Sequence, residues 1–335
     1  MQGNDVVALV WAPHEARTAA FAERLAAELH NVHFLRARQP WLAPFKYPLQ
    51  WFATWRLLAR KRPRIIYVTN SPPVAGLCVM AYCWFTAAQF ILDTHPPTMF
   101  GKKWGWTLPV QRFTARRALV NVTDQERFAA MFRSWGADVV VLENPPNLAS
   151  IPAAGDIRAD PATVAYVGTF AGDEPIDALL AAAAQLPQVT FRILGDVGLA
   201  KREWTSTPLP NVEFTGYLRA NDYWHELMRA GAVLVLTEYE HSLAGAAQDA
   251  LRIGRPLVVS DMPTLRSYFT AGTVHVANTA EGIAQGVRQA LADPNLAAEM
   301  EALQRATITR WQRDFRKLQD IVSSGAVAVP AVKEA

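Results

Sequence analysis

The chain has 335 residues, 51% of them apolar and 19% charged, with a formal net charge of +3. That length exceeds one ordinary core and suits two domains of roughly 150 residues each, while the composition excludes extended disorder. The small net charge gives no argument of its own for nucleic acid, and the two cysteines, Cys78 and Cys83, read as free thiols of a cytoplasmic chain rather than a disulfide framework.

Residues 6–11 read as a buried strand, preceded by neither a basic leader nor a signal-cleavage pattern, which argues against secretion. A helix is expected over 17–30, a strand at 32–35, a helix over 51–60 and a strand at 65–69. Residues 74–92 are almost uncharged and have the length of a membrane span. Ser71-Pro72-Pro73 suits a helix start, however, so a helix over 74–88 followed by a buried strand at 90–93 is preferred. Strands at 119–123 and 139–142 flank a helix over 125–135. Such strand–helix alternation implies a parallel sheet.

Charge in this half is unevenly spread. Lys46, Arg56, Arg60, Lys61, Arg62 and Arg64 follow one another without an acid, interleaved with aromatics from Trp41 to Trp55. Lys102, Lys103, Trp104 and Trp106, then Arg112, Arg116 and Arg117, repeat the pairing. Aromatics with cations suit an anionic membrane surface; a core face beside a solvated basic face is the plainer alternative. Single-stranded nucleic acid would use the same chemistry, but no recognition motif accompanies it, so nucleic acid is not expected as a partner.

A Pro-, Ala- and Gly-rich stretch from Asn144 to Pro161 reads as an interdomain linker. The alternation then restarts, with strands at 163–167, 190–194, 212–215, 232–236 and 257–260 and helices over 176–185, 222–230, 246–253 and 280–292. A last amphipathic helix covers 297–321.

The most informative stretch is 237–261, TEYEHSLAGAAQDALRIGRPLVVSD. It reads as a strand end, a polar loop, a small-residue helix and a Gly-x-Pro turn into an apolar strand. Free backbone N–H groups at a helix start attract phosphate, and small residues let a ligand approach them. Gly254 suits the helix C-terminal cap, and Pro256 stops any continuation. The arrangement resembles the donor-binding motif of glycosyltransferase family 4, a GT-B group. There an acid, a Gly-rich loop and a second acid precede Ala-x-x-x-Gly-x-Pro-Val-Val-x-Ser. Tyr166-Val167-Gly168, Ile193-Leu194-Gly195-Asp196 and residues 211–217 extend the resemblance. Asn70-Ser71-Pro72-Pro73 and Leu92-Asp93-Thr94-His95 are similar to the acceptor-side half of membrane-associated polysaccharide glycosyltransferases.

The fold class this implies is α/β, GT-B: two Rossmann-like doubly wound parallel-sheet domains facing a central cleft. The first domain is placed at 1–147, the linker at 148–162 and the donor-binding domain at 163–305, with a C-terminal helix at 308–325 returning to the first. The implied activity is transfer of a sugar from a UDP- or GDP-linked donor to a saccharide or lipid-linked saccharide acceptor in cell-surface polysaccharide synthesis. No cofactor is implied, and no metal signature occurs in the sequence. The expected location is cytoplasmic, peripheral on the inner face of the membrane. A catalytically inactive GT-B binding partner and a nucleotide-sugar epimerase are the alternatives.

The resemblance assigns Asp249, as the second acid, to the ribose hydroxyls. His241 stands where the family has its first acid; Glu238 and Glu240 precede it and are the substitutes for contacts to the sugar. Ser242, Leu243, Ala244 and Gly245 would offer backbone N–H groups to the phosphate, Gly168 and Thr169 line the same side, and Tyr217 marks the region of the base. The loop at 169–175 lacks the family's bases, leaving Lys201, Arg202 or a residue of the other domain to meet the diphosphate. His95 is matched to a histidine that contacts the transferred sugar. His14 and Glu15 follow the first strand, where inverting enzymes carry a catalytic base, so retaining and inverting chemistry both stay open.

Overall fold

Runs such as Val6–Val10 (VVALV) carry no polar face, so a strand built from them must be covered on both sides. A computed structural model describes residues 5–34, 42–95, 98–99, 104–145, 151–152, 157–206, 209–240 and 243–325, apart from the side chain of Ala220. The chain divides into unit 1, Met1–Pro145 with Arg310–Ala335, and unit 2, Pro146–Thr309.

Unit 1 contains β1 (Val6–Val10), α1 (Ala16–Arg24), β2 (Glu28–Asn31), α2 (Ala43–Lys61), β3 (Ile65–Thr69), α3 (Pro73–Trp84), β4 (Gln89–Asp93), α4 (Leu108–Ala115), β5 (Val120–Thr123), α5 (Glu126–Ser134) and β6 (Val139–Val141). The strands form one parallel sheet in the order β2-β1-β3-β4-β5-β6. Alternate residues of β1 serve opposite cores, as the two-residue period of a strand requires. Val7 and Leu9 meet Leu58, Val79 and Leu92 on one face; Val6 and Ala8 meet Phe21, Trp311 and Phe315 on the other.

Three sequence expectations shift. The helix read over 17–30 stops at Arg24, because Ala26 turns left-handed (φ 50) and frees Glu28–Asn31 to pair with β1. The strand expected at 32–35 therefore lies earlier, as β2. The helix expected over 51–60 starts at Ala43: Pro44 falls in the first turn, where its missing N–H costs nothing, and Pro48 is carried inside. The stretch 74–92 holds to the preferred reading, a helix and a strand rather than a span, as α3, a turn and β4. No helix among the described residues is long and apolar enough to cross a membrane.

Unit 2 contains β7 (Asp160–Val167), α6 (Ile176–Ala184), β8 (Thr190–Leu194), α7 (Arg202–Ser206), β9 (Val212–Gly216), α8 (Ala220–Arg229), β10 (Ala230–Val235), α9 (Gly245–Arg252), β11 (Leu257–Ser260), α10 (Pro263–Tyr268), β12 (Thr273–Val276) and α11 (Ala280–Ala292). Its sheet is also parallel, ordered β12-β11-β10-β7-β8-β9. The elements α10 and β12 were not anticipated, since each is a few residues long and β12 is an edge strand buried only at alternate positions. Gly254 takes the left-handed φ of 68 that closes α9. The last helix, α12 (Asn295–Gly325), begins in unit 2 and ends in unit 1.

The unit 1 end of α12 is held by apolar packing. Phe315 stacks on Trp311 at 4.8 Å and meets the edge of Phe21 at 5.8 Å, and Trp311 Nε1 donates to the Glu143 carbonyl at 3.0 Å. Phe315→Ala should cost unit 1 about 3–5 kcal/mol, read as a lowered urea midpoint for its transition. A loss below about 1 kcal/mol would mean that the helix end is not seated on the sheet in solution.

Candidate functional site

In a parallel sheet every strand ends along the same edge, and buried strands leave that edge as the place for polar side chains. In unit 1, β3 ends at Thr69, β4 at Asp93 and β5 at Thr123, all buried. Arg17, in the first turn of α1, reaches across them. Its Nε donates to Asp93 Oδ2 at 3.0 Å and an NH2 group to Oδ1 at 3.3 Å, with further bonds to the Leu142 carbonyl (2.6 Å) and Asn144 Oδ1 (3.3 Å). Tyr67 Oη donates to Asp93 Oδ2 at 2.6 Å. Burial alone would push the Asp93 carboxyl up; Arg17, His95 and the hydrogen bonds from Arg17 and Tyr67 outweigh it and hold it below the usual range. Burial and the neighbouring Asp93 push the Tyr67 hydroxyl well up, so it remains a donor.

His95 lies beyond the end of β4, its side chain about a quarter exposed, with Nε2 3.7 Å from Asp93 Oδ2 and without a hydrogen-bond partner. Asp124 follows β5. Burial raises its carboxyl against the pull of His95 and Arg17, and its Oδ1 is buried without a hydrogen-bond partner. The two groups offer an unsatisfied nitrogen and an unsatisfied oxygen at the same sheet edge. His14 is exposed after β1. Glu15, expected as a base, caps α1: it accepts from the backbone of Arg17 at 3.3 Å and from the backbone and hydroxyl of Thr18. Two donors share Oε2 and one reaches Oε1, so the carboxylate is engaged in the cap and keeps acceptor capacity on Oε1.

In unit 2 the loop after β7 is built around an acid. Glu174 accepts from the Thr169 amide (2.9 Å), the Thr169 hydroxyl (2.7 Å), the Phe170 amide (2.9 Å) and the Tyr166 hydroxyl (3.3 Å). A Cβ on Gly168 would sit 2.6 Å from the Tyr166 ring, so that position needs glycine. A second network ties the strand ends together. Thr237 donates to Asp173 Oδ2 at 2.6 Å through its hydroxyl and to Ser260 Oγ at 2.9 Å through its amide, and Ser260 donates to Asn278 Oδ1 at 2.6 Å. Glu238 bonds the Asp173 carbonyl through its backbone amide, and Glu240 is exposed.

The helix α9 starts without a side-chain cap. Leu243 is buried, Ala244 is left-handed at φ 44, and a Cβ added to Gly245 would meet nothing within 4 Å. The Ala247 and Gln248 amides bond the Ala244 carbonyl, and the capping residue adds no side-chain bond to the first turn. His241 and Ser242 lie outside the described residues. Tyr217 follows Gly216 and is 76% exposed. Lys201 lies over the Trp204 ring at 4.7 Å and near Glu203, and Arg202 is exposed.

Asp249 differs from a ligand-facing group at a helix start. It sits in the body of α9 and accepts from Tyr223 Oη at 2.7 Å and from Arg252 at 2.5 Å, with 18% of its side chain exposed. Burial pushes its carboxyl up against Arg252 and Tyr223. Each oxygen already serves one internal donor.

Sequence reading missed Arg17, Asp93, Asp124 and Glu174. Arg17 reads only as the start of the helix over 17–30, and Glu174 only as part of the loop at 169–175. The one available signal was position: Asp93 and Asp124 each close an apolar strand run.

Residues 149–306 match the family model described as glycosyl transferases group 1. No curated protein is a significant match to the sequence. Solved structures similar to the chain include a sucrose-phosphate synthase from Thermosynechococcus elongatus (15% identity, TM-score 0.70, covering 96% of this chain and 98% of that one). HepE from Anabaena, in complex with UDP and glucose, is 16% identical with a TM-score of 0.67, covering 95% and 91%. A glycosyltransferase from Rickettsia africae is 10% identical with a TM-score of 0.64, covering 96% and 98%. At these identities the likeness establishes the fold, which is GT-B with two Rossmann-like α/β domains.

The Asp93 carboxyl titrates lower in the folded chain than its unfolded value of about 3.9. Its stabilising contribution is therefore complete above that value and lost as pH falls through the folded one. Asp93→Asn leaves Arg17 buried and unpaired, so unit 1 should lose about 3–5 kcal/mol at neutral pH, and the acid limb of its stability curve should flatten. Urea unfolding across a pH series checks both; an unchanged acid limb would assign acid sensitivity to other carboxylates.

Proposed function

We propose, on the premise that residues 149–306 form a glycosyl transferases group 1 domain within a GT-B chain, that the protein moves a sugar from a nucleotide diphosphate to an acceptor hydroxyl. The family match carries this reading. The HepE structures with UDP and with UDP-glucose support a UDP-linked donor. The reaction breaks the bond between sugar C1 and the diphosphate oxygen and forms one from C1 to the acceptor oxygen, whose proton leaves. A developing positive charge on the sugar and negative charge on the diphosphate both need preorganised partners.

In unit 2 we assign the diphosphate to the first-turn amides of α9, where Gly245 leaves room, and the base to the neighbourhood of Tyr217. Asp249 takes the ribose through its remaining lone pairs, and Glu238, Glu240 and His241 are the candidates for the sugar hydroxyls. In unit 1, His95 is assigned to the transferred sugar, with the Asp93 carboxylate behind it; His14 and Glu15 are the candidate bases for an inverting course. The transfer is taken to be metal-independent, with these amides in the role of the cation. The acceptor is a lipid-linked saccharide of cell-surface polysaccharide synthesis, met at the cytoplasmic face of an anionic membrane.

One observation favours a second reading. Glu174 fills the loop after β7 with a carboxylate, and no base lies in residues 169–175. That suits a GT-B chain that binds a partner without turnover. Incubation with UDP-, GDP- and dTDP-sugars separates the two: nucleotide release that depends on added acceptor supports transfer, and binding without release supports the inactive partner.

Asp249→Ala should weaken UDP binding at least about tenfold, because ribose hydroxyls lose a charged acceptor. It should also destabilise unit 2 by about 1–3 kcal/mol, since Tyr223 and Arg252 lose theirs. Tyr223→Phe removes only the internal bond and should leave UDP affinity little changed. If titration calorimetry finds wild-type UDP affinity in the Ala variant while its melting temperature falls, Asp249 is an internal residue and the ribose assignment is withdrawn.

A further inference from the structure

Large apolar side chains are exposed unevenly in this chain. Phe45 (67% exposed) and Phe52 (69%) stand on α2, Trp84 (64%) and Phe85 (78%) end α3, and Trp106 and Phe113 lie on and before α4. The three helices are neighbours on one face of the unit 1 sheet, sharing a core. Trp55 meets Phe85 at 6.0 Å, which joins α2 to the end of α3, and Trp84 meets Phe113 at 6.2 Å, which joins α3 to α4. The aromatics therefore form one continuous surface. Within it a groove of about 500 Å³ is lined by Tyr47, Pro48, Trp51, Phe52, Trp55 and Val74, all aromatic or aliphatic.

Cations border this surface. Arg117 lies 3.6 Å over the Phe113 ring and 5.7 Å from Trp84. Arg112, Arg116, Arg56, Arg60, Arg62 and Arg64 are exposed on the same helices and their ends. Between Glu28 and Asp124 the sequence holds 13 Lys and Arg residues and a single acid, Asp93. That acid is fully buried and bound to Arg17. Among the described residues α2, α3 and α4 carry no acid, and the nearby Glu28 of β2 is taken up by Lys61 at the end of α2 (2.6 Å).

We propose that the outer face of α2, the end of α3 and α4 is a docking surface for an anionic lipid bilayer. Phe45, Phe52, Trp84 and Phe85 enter the headgroup–acyl boundary, the apolar groove takes hydrocarbon, and the flanking arginines meet lipid phosphates. Contiguous exposed aromatics of this kind mark an interaction site rather than an ordinary surface. A nucleic acid would use the arginines but leave the groove and the aliphatic rim uncovered. A protein partner would not require acids to be missing from the whole region. With no described helix fit to span the membrane, the contact lies on the surface. This deepens the membrane part of the reading above and does not depend on the transfer chemistry.

The test is flotation of the full chain with phosphatidylcholine vesicles made with and without phosphatidylglycerol. Binding is expected only with phosphatidylglycerol and should weaken with salt. The double variant Phe45→Ser/Phe52→Ser should lose at least about tenfold in partitioning, and Arg116→Gln and Arg117→Gln about fivefold each. The side chains are exposed, so melting temperatures should hold, and an unchanged UDP-induced shift in the same variants keeps this test separate from the donor reading. The proposal is overturned if the wild type ignores anionic vesicles, if it binds both vesicle types alike, or if the Phe variant floats as well as wild type. Concentration-dependent dimerisation abolished by the Phe substitutions, without vesicle binding, would give the face to a second copy. Binding to a single-stranded oligonucleotide but not to vesicles would give it to nucleic acid.

Discussion

The Arg17–Asp93 pair is the interaction on which unit 1 depends. Both groups are buried, and a buried pair is sustained only when its geometry is close and its remaining atoms are bonded. Here Asp93 receives two bonds from Arg17 and one from Tyr67, while Arg17 also reaches a backbone carbonyl and Asn144. The consequence is positional. The guanidinium ties α1 to the ends of β4 and β6, and the carboxylate fixes a negative charge beside His95. An apolar pair of similar volume would fill the space but would not set that charge.

Unit 2 handles its strand ends differently. There an acid is spent on the backbone: Glu174 gathers two amides and two hydroxyls around one carboxylate. Amides that converge on a carboxylate have the geometry of an anion site. Any phosphate approaching that loop must displace Glu174 or bind elsewhere. The first turn of α9, to which the diphosphate is assigned in the proposal above, has no such carboxylate: its capping residue adds no side-chain bond, and a Cβ at Gly245 would meet nothing within 4 Å.

How far the sequence could be read follows from the range of the forces involved. Most strands of both sheets were legible because parallel strands buried on both faces need unbroken apolar runs, as in Val6–Val10 and Ile65–Thr69, whereas the partly exposed edge strands β2 and β12 were not. The C-terminal cap of α9 was legible because Gly254 must take a left-handed φ that other residues resist. The end of α1 was not, since a left-handed alanine at position 26 leaves no trace in a run of helix formers. Nor were the site networks. The bond between Arg17 and Asp93 spans 76 positions, and that between Thr237 and Asp173 spans 64. Asp249 was placed by motif spacing, which fixes a position along a helix but not the neighbours from α8 that claim its oxygens.

Backbone strain offers an independent pointer to the donor side. Four non-glycine residues among those described have positive φ: Ala26, Arg62, Phe170 and Ala244. Ala26 and Arg62 fall at the C-terminal ends of α1 and α2, where a left-handed residue satisfies the last carbonyls. Phe170 and Ala244 have no such excuse. They sit in the loops after β7 and before α9, and the assigned phosphate and sugar contacts lie in the second of these. A left-handed residue with a Cβ costs about 1–3 kcal/mol and persists only where its surroundings fix it. At Phe170 the fixing is visible, since its amide is held by Glu174 and its ring lies 6.3 Å from Trp204. At Ala244 the strain turns the chain so that the first amides of α9 stay unbonded by any side chain of their own. A serine or aspartate there would return part of that cost as a capping bond, and alanine returns none, so the turn at Ala244 is fixed by its surroundings rather than by a cap.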